Sequence, residues 1–175
     1  MNRRDARIFC VALALAGVFT MAAVPQSANL TGTWQLDKKK SFFGSDHPTT
    51  AYQLTKTITE NGDDVMIKDA SVHQVIMGFH LPDSTATTTL VLNGKEREDK
   101  GTPLFPGMPQ PTVTLASEWQ GGTLYTTQRS NGLGGLSISH TRYFLSSDSA
   151  ELVELINSHS TFGDVQQRLV FDRQK

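Results

Sequence analysis

Two polar residues interrupt an otherwise apolar alternation. His140 and Arg142 alternate with Leu136, Ile138 and Phe144. Alternate residues of a β-strand share a face, so turning the three apolar side chains inward also turns in an imidazole and a guanidinium. An Arg inside a protein is costly unless it meets an anion or a carboxylate. An acidic ligand would satisfy Arg142, and so would Glu118 or Glu154. The opposite facing puts Ser139, Thr141 and Tyr143 inside and leaves His140 and Arg142 in water; the residues alone leave both open. Arg129 poses the same question, because a one-residue slip after Gly121-Gly122 would reverse its face.

Other chemistries find less support. The histidines are His47, His73, His80, His140 and His159, and no two have the spacing of a metal pair. His73 and His80 differ by an odd number and face opposite ways on one strand. Gly132-Leu133-Gly134-Gly135 precedes a strand, so no helix N-terminus awaits a phosphate there. No serine sits in a nucleophile elbow. The expectation is a non-enzyme with no metal and no cofactor. Lys38-Lys39-Lys40 is the only basic run and reads as a solvated turn, so nucleic acid is not an expected partner.

The elements that must position these residues are strands. Short runs rich in Thr, Val, Ile, Leu and aromatics alternate with turn signals such as Asn61-Gly62, Asn93-Gly94 and Gly121-Gly122. Strands are predicted near 32–37, 52–60, 65–70, 72–81, 85–92, 112–119, 123–130, 136–145, 151–161 and 166–173. Val75, Met77, Phe79 and Leu81 share one face, as do Val113, Leu115 and Trp119, with Ser117 among them. Leu169 and Phe171 share a third. About ten strands, each with one apolar face and no helix to cover it, close most simply into an antiparallel up-and-down β-barrel of 8–10 strands. A two-sheet sandwich is the rival. One helical turn is expected within 37–50, with Phe42 and Phe43 plugging a barrel end. The stretch 101–111 holds four prolines and no regular structure. Its Leu104, Phe105 and Met108 either tuck against the wall or form a lid over a cavity mouth.

The N-terminus reads as a signal peptide over residues 1–28, followed by one domain over 29–175. Arg3, Arg4 and Arg7 precede an uncharged run from Ile8 to Val24, and small residues Ala22, Ala23 and Ala28 offer cleavage points. An uncleaved anchor is the alternative, though a spanning helix wants about 20 apolar residues. Cleavage would leave no membrane span and a secreted or periplasmic protein. Cys10, the only cysteine, lies inside this segment, so the mature chain would rely on its core without disulfides. Removing Arg3, Arg4, Arg7 and Asp5 from the 16 basic and 17 acidic residues leaves 13 and 16, a mild negative balance.

Leu30-Thr31-Gly32-Thr33-Trp34-Gln35-Leu36 resembles the first strand of the calycins, the lipocalins and fatty-acid-binding proteins. Ile58-Thr59-Glu60-Asn61-Gly62-Asp63 and Trp119-Gln120-Gly121 resemble their hairpins, and 168–173 their closing strand. The whole is most similar to bacterial secreted lipocalin-like domains. The resemblance implies that Trp34 closes the barrel floor and that Arg173 or Arg168 lies across its ring. It also implies an interior that holds a small apolar or amphipathic molecule. The carboxylate-holding Arg-x-Tyr pair of fatty-acid-binding proteins falls on Leu169 and Phe171, which carry neither charge nor hydroxyl. The two-helix portal has no room before Tyr52. The expected wall is therefore Trp34, Met77, Phe79, Leu115 and Phe171, with His140 and Arg142 orienting a polar end. The alternative is a filled scaffold acting as a protein-binding or inhibitor module through its loops.

Overall fold

The computed structural model describes residues 28–44, 53–72, 75–76, 79–80, 82–101, 110–132 and 135–175. The strands are β1 (Gly32–Leu36), β2 (Gln53–Asn61), β3 (Asp64–Val72), β4 (Val75–Ile76), β5 (Phe79–His80) and β6 (Ser84–Val91). They continue as β7 (Arg97–Lys100), β8 (Thr112–Gln120), β9 (Thr123–Gly132), β10 (Gly135–Leu145), β11 (Glu151–Ser160) and β12 (Gly163–Arg173). Ten of them form one sheet in the order β6-β3-β2-β1-β12-β11-β10-β9-β8-β7, with antiparallel pairing throughout. The meander runs in chain order except that β12 returns to pair with β1.

One continuous sheet of ten strands makes this a curled barrel, not a sandwich. β6 and β7 are its two edges; β6 comes against β8 at the seam, and the Arg97 guanidinium of β7 donates across it to Thr89 O at 2.5 Å. The hairpin turns fall where their residues require them. Gly62, Gly94, Gly121 and Gly122 all have positive φ. Consecutive positive values at Gly121 and Gly122 match the twist that joins β8 to β9.

Inward residues follow the two-residue period. Trp34, Leu36, Ile58, Val65, Ile67, Leu90, Leu115, Leu124, Leu152, Leu169 and Phe171 form one buried core. Gly32 has a φ of 155°, and a Cβ there would meet the Trp34 indole at 3.4 Å. The φ, which other side chains rarely adopt, is why glycine precedes the tryptophan by two. The Trp34 Nε1–H donates to Leu30 O at 3.0 Å, and Arg173 lies over the indole with Cζ at 4.4 Å. The floor and its covering arginine are as the resemblance implied. Arg168 instead donates to Lys40 O at 3.0 Å.

Locally the structure departs from the sequence reading. Among the described residues of 72–81 there is no single strand: β3 ends at Val72, and Val75–Ile76 pairs with Phe79–His80 in a separate ladder. Of the span 37–50 expected to hold a helical turn, residues 37–44 form no helix, and 45–50 lie outside the described residues. Asp37 Oδ1 accepts from the Lys39 and Lys40 amides to make a tight turn, and Phe42 rejoins β12 through reciprocal backbone bonds with Arg168. Phe42 is exposed, whereas Phe43 packs against the core. The ladder satisfies the backbone groups that a helix would otherwise have to. Finally, β7 was not expected at all. Arg97-Glu98-Asp99-Lys100 has no apolar alternation, and it is a strand because β8 offers an unpaired edge.

Candidate functional site

The strand β10 settles the facing of the polar pair. Thr141 and Tyr143 are buried, while His140 is exposed and its Nδ1 lies 3.1 Å from Thr127 Oγ1 on the outer face. Arg142 shares that outer parity. Neither His140 nor Arg142 lines the interior. The reason lies in register: Tyr143 pairs with Glu154 and Leu124, and Leu124 belongs to the closed core. Arg129 is also outward, in an ion pair with Glu96.

Of the other expected wall residues, Trp34, Leu115 and Phe171 are buried in the core. Trp34 and Phe171 lie near the closed end, and Leu115 lies on β8. Phe79 belongs to the β4–β5 ladder, outside the ten-stranded sheet. Met77 and the loop residues Leu104, Phe105 and Met108 lie outside the described residues. The flanks of that loop do pair, with the Gly101 amide donating to Pro111 O at 2.8 Å.

The interior holds a polar cluster that the outward pair had obscured. Lys56 on β2 and Asp69 on β3 are cross-strand neighbours, as are Tyr143 on β10 and Glu154 on β11. Curling of the sheet brings the two pairs together over β1 and β12. Lys56 Nζ sits 2.7 Å from Asp69 Oδ1 and 3.5 Å from Glu154 Oε2. It also lies 5.5 Å from the Tyr143 ring centroid and 5.6 Å from that of Phe171. Lys56 is 2% and Glu154 6% exposed. Tyr143 stands beside Glu154 across the β10–β11 ladder.

Burial and charge act in opposition here. Burial alone would lower the pKa of the Lys56 ammonium, but the Glu154 and Asp69 carboxylates hold it above its ordinary value. Burial pushes the Glu154 carboxyl up, and the charge of Asp69 adds to this against the pull of Lys56. Tyr143 is pushed well up by burial, then by the same two carboxylates.

Around the cluster the inner face is graded. One end is closed by Trp34, Leu30, Leu124, Leu152 and Val65, all fully buried. Next to the Tyr143 row, Ser117, Thr126 and Thr141 stand side by side on β8, β9 and β10, each buried. Ser117 Oγ has no hydrogen-bond partner among the described residues. One row further, Gln128, Ser139 and Ser158 adjoin on β9, β10 and β11, with Ser158 Oγ 2.9 Å from Ser139 Oγ. These inward positions are half-buried or, at Gln128, exposed, so solvent reaches the inner wall from this end. A cleft of about 260 Å³ also opens along the seam, between Val91, Arg97 and the inward Leu115. Outside the closed end, a shallow cleft of about 430 Å³ lies against Ala28, Leu145 and Arg173. Among the described residues no group of three His, Cys, Asp or Glu could hold a metal.

A signal for the cluster was present in the sequence. Leu54-x-Lys56-x-Ile58, Val65-x-Ile67-x-Asp69 and Leu152-x-Glu154-x-Ile156 each place one charged residue on the apolar parity of a strand. Three such intrusions of mixed sign are what an internal ion cluster requires.

The ten-stranded fold has structural counterparts. Zebrafish ileal bile acid-binding protein complexed with cholic acid superimposes with a TM-score of 0.51 at 14% identity, over 82% of this chain and 98% of that one. The fluorescent protein UnaG superimposes with a TM-score of 0.50 at 18% identity, over 83% and 97%. The fold is calycin-like. A secretory abundant heat soluble protein from Ramazzottius varieornatus shares it, with a TM-score of 0.51, 11% identity and coverage of 83% and 94%. No protein-family model and no curated protein matches the sequence. No helix among the described residues is long and apolar enough to cross a membrane.

Proposed function

We propose that this protein is an exported barrel that holds a small, largely apolar molecule in its interior and carries out no chemistry on it. The observation that carries the reading is the graded inner face: a closed apolar floor, a buried polar cluster beside it, and inward positions that remain solvent-accessible at the other end. Ligand sites are concave, mostly apolar and furnished with a few placed polar groups, and this interior has that composition. Its structural counterparts include one described as binding bile acid. Export is supported by the charged start and the uncharged Ile8–Val24 run.

The test is native mass spectrometry of the chain from Asn29, purified from a bacterial host without denaturation. The expected result is an adduct of a few hundred daltons that denaturation releases. A clean apo mass, unchanged by a panel of apolar ligands, would point instead to a filled scaffold acting through its loops. Export is checked separately, by expressing the full chain and asking whether the periplasmic or secreted form begins after Ala22, Ala23 or Ala28.

A further inference from the structure

We infer that the interior selects a molecule whose polar end donates hydrogen bonds, a hydroxyl or ammonium group on an apolar body, and rejects carboxylates. This deepens the binding reading above and rests on it. The first ground is the balance of charge. Lys56, Asp69 and Glu154 bring one ammonium and two carboxyl groups to one point of the inner face. Lys56 is fully committed, held between both carboxyl groups and against the Tyr143 and Phe171 rings at 2% exposure. The other inward-parity cations among the described residues are committed elsewhere. Arg97 holds the seam through Thr89 O and Asp99, and Arg173 covers Trp34 at the closed end.

A ligand carboxylate would therefore approach two carboxyl groups with no cation among the described residues free to meet it, and like charges in a partly desolvated site repel strongly. A donor meets the opposite situation. Asp69 Oδ1 is buried against Lys56, yet the Asp69 side chain keeps 35% exposure, so its other oxygen remains an accessible acceptor.

The second ground is independent of charge. Ser117 Oγ is buried and unpartnered among the described residues, in register with the buried hydroxyls of Thr126 and Thr141. A buried hydroxyl left unpaired costs free energy, and a polar ligand atom entering the inner face would satisfy it. Hydroxyls donate and accept equally well; the carboxyl groups beside them set the direction, toward a donating ligand.

The experiment uses N-phenyl-1-naphthylamine, an uncharged fluorophore that brightens in apolar surroundings, with the chain from Asn29 at neutral pH. Bound probe is displaced by dodecylamine, 1-dodecanol or dodecanoate, all below their aggregation concentrations. The expected order has the amine and the alcohol displacing at concentrations about tenfold lower than the carboxylate, a modest difference on the affinity scale. Asp69→Asn, checked for its fold by circular dichroism, should shrink the amine-to-carboxylate gap to about twofold. Dodecanoate displacing as well as the other two would overturn the inference and leave the binding reading standing. An unchanged gap in the variant would overturn it as well. Absence of any probe brightening would overturn the binding reading itself, and this inference with it. The wild-type order decides the matter even if the variant does not fold.

Discussion

At the scale of single residues, Lys56 concentrates the most consequence. It is a buried ammonium whose neighbours are two carboxyl groups and two aromatic faces. Removing one member of a buried ion cluster leaves uncompensated charge, which costs roughly 3–5 kcal/mol. Lys56→Met should therefore lower the urea midpoint severely, and Lys56→Met combined with Glu154→Gln should recover part of the loss. A single variant as stable as wild type would show that the cluster is solvated. The pH dependence has a definite sign. The pKa values of Lys56 and Tyr143 are both raised by folding. Each thus contributes stability that is complete below its unfolded value and lost as pH rises through its folded value. Urea midpoints should fall above about pH 10, and Tyr143→Phe should flatten that alkaline limb. Glu154, also raised, should cost stability as pH climbs above its ordinary carboxylate range, and Glu154→Gln should remove that slope.

At the scale of elements, register assigns roles that composition left ambiguous. The strand β10 exposes His140 and Arg142 because Tyr143 is matched to Leu124 on one side and Glu154 on the other. His140→Ala and Arg142→Ala should accordingly leave probe affinity within about twofold, since rim and surface truncations away from a site change little. A tenfold loss would place the site on the outer face. The seam depends on a different contact. Arg97 is the side chain that ties β7 to the β6 backbone at Thr89. Arg97→Met should speed amide exchange across β6 and β7 while leaving β10–β12 protected, because edge elements open locally at lower free energy than the core.

At the scale of the whole molecule, the floor organises the barrel. Trp34 is fully buried, bonded to Leu30 and capped by Arg173. Arg173→Ala should cost about 0.5–1 kcal/mol from the lost cation–π contact, visible as a small drop in thermal midpoint and a shift in tryptophan emission. Trp34→Ala should cost roughly 3–5 kcal/mol, enough to unfold much of a domain whose total stability lies near 5–15 kcal/mol. Cys10 is the chain's one cysteine, so no disulfide would hold the described barrel together after such a loss.

The period of two in β8 and β12 and the turn glycines were sufficient in the sequence to specify an all-β antiparallel chain, with a sandwich still open beside the barrel; the Gly32-x-Trp34 opening marked the floor only through its resemblance to the calycins. Those features are local: side-chain alternation and positive φ are dictated within a few residues. The strand β7 is not legible in the sequence because an edge strand needs only a partner, and its four charged residues carry no pattern. The interior cluster is not legible for a related reason. Lys56, Asp69 and Glu154 each look like a lone intrusion on its own strand, and only closure of the sheet joins them. Whether His140 or Tyr143 faces inward was likewise undecidable from β10 alone, whose two faces both mix apolar and polar groups. Pairing with β9 and β11 decided it, because a strand's facing depends on the neighbours that bury it rather than on its own residues.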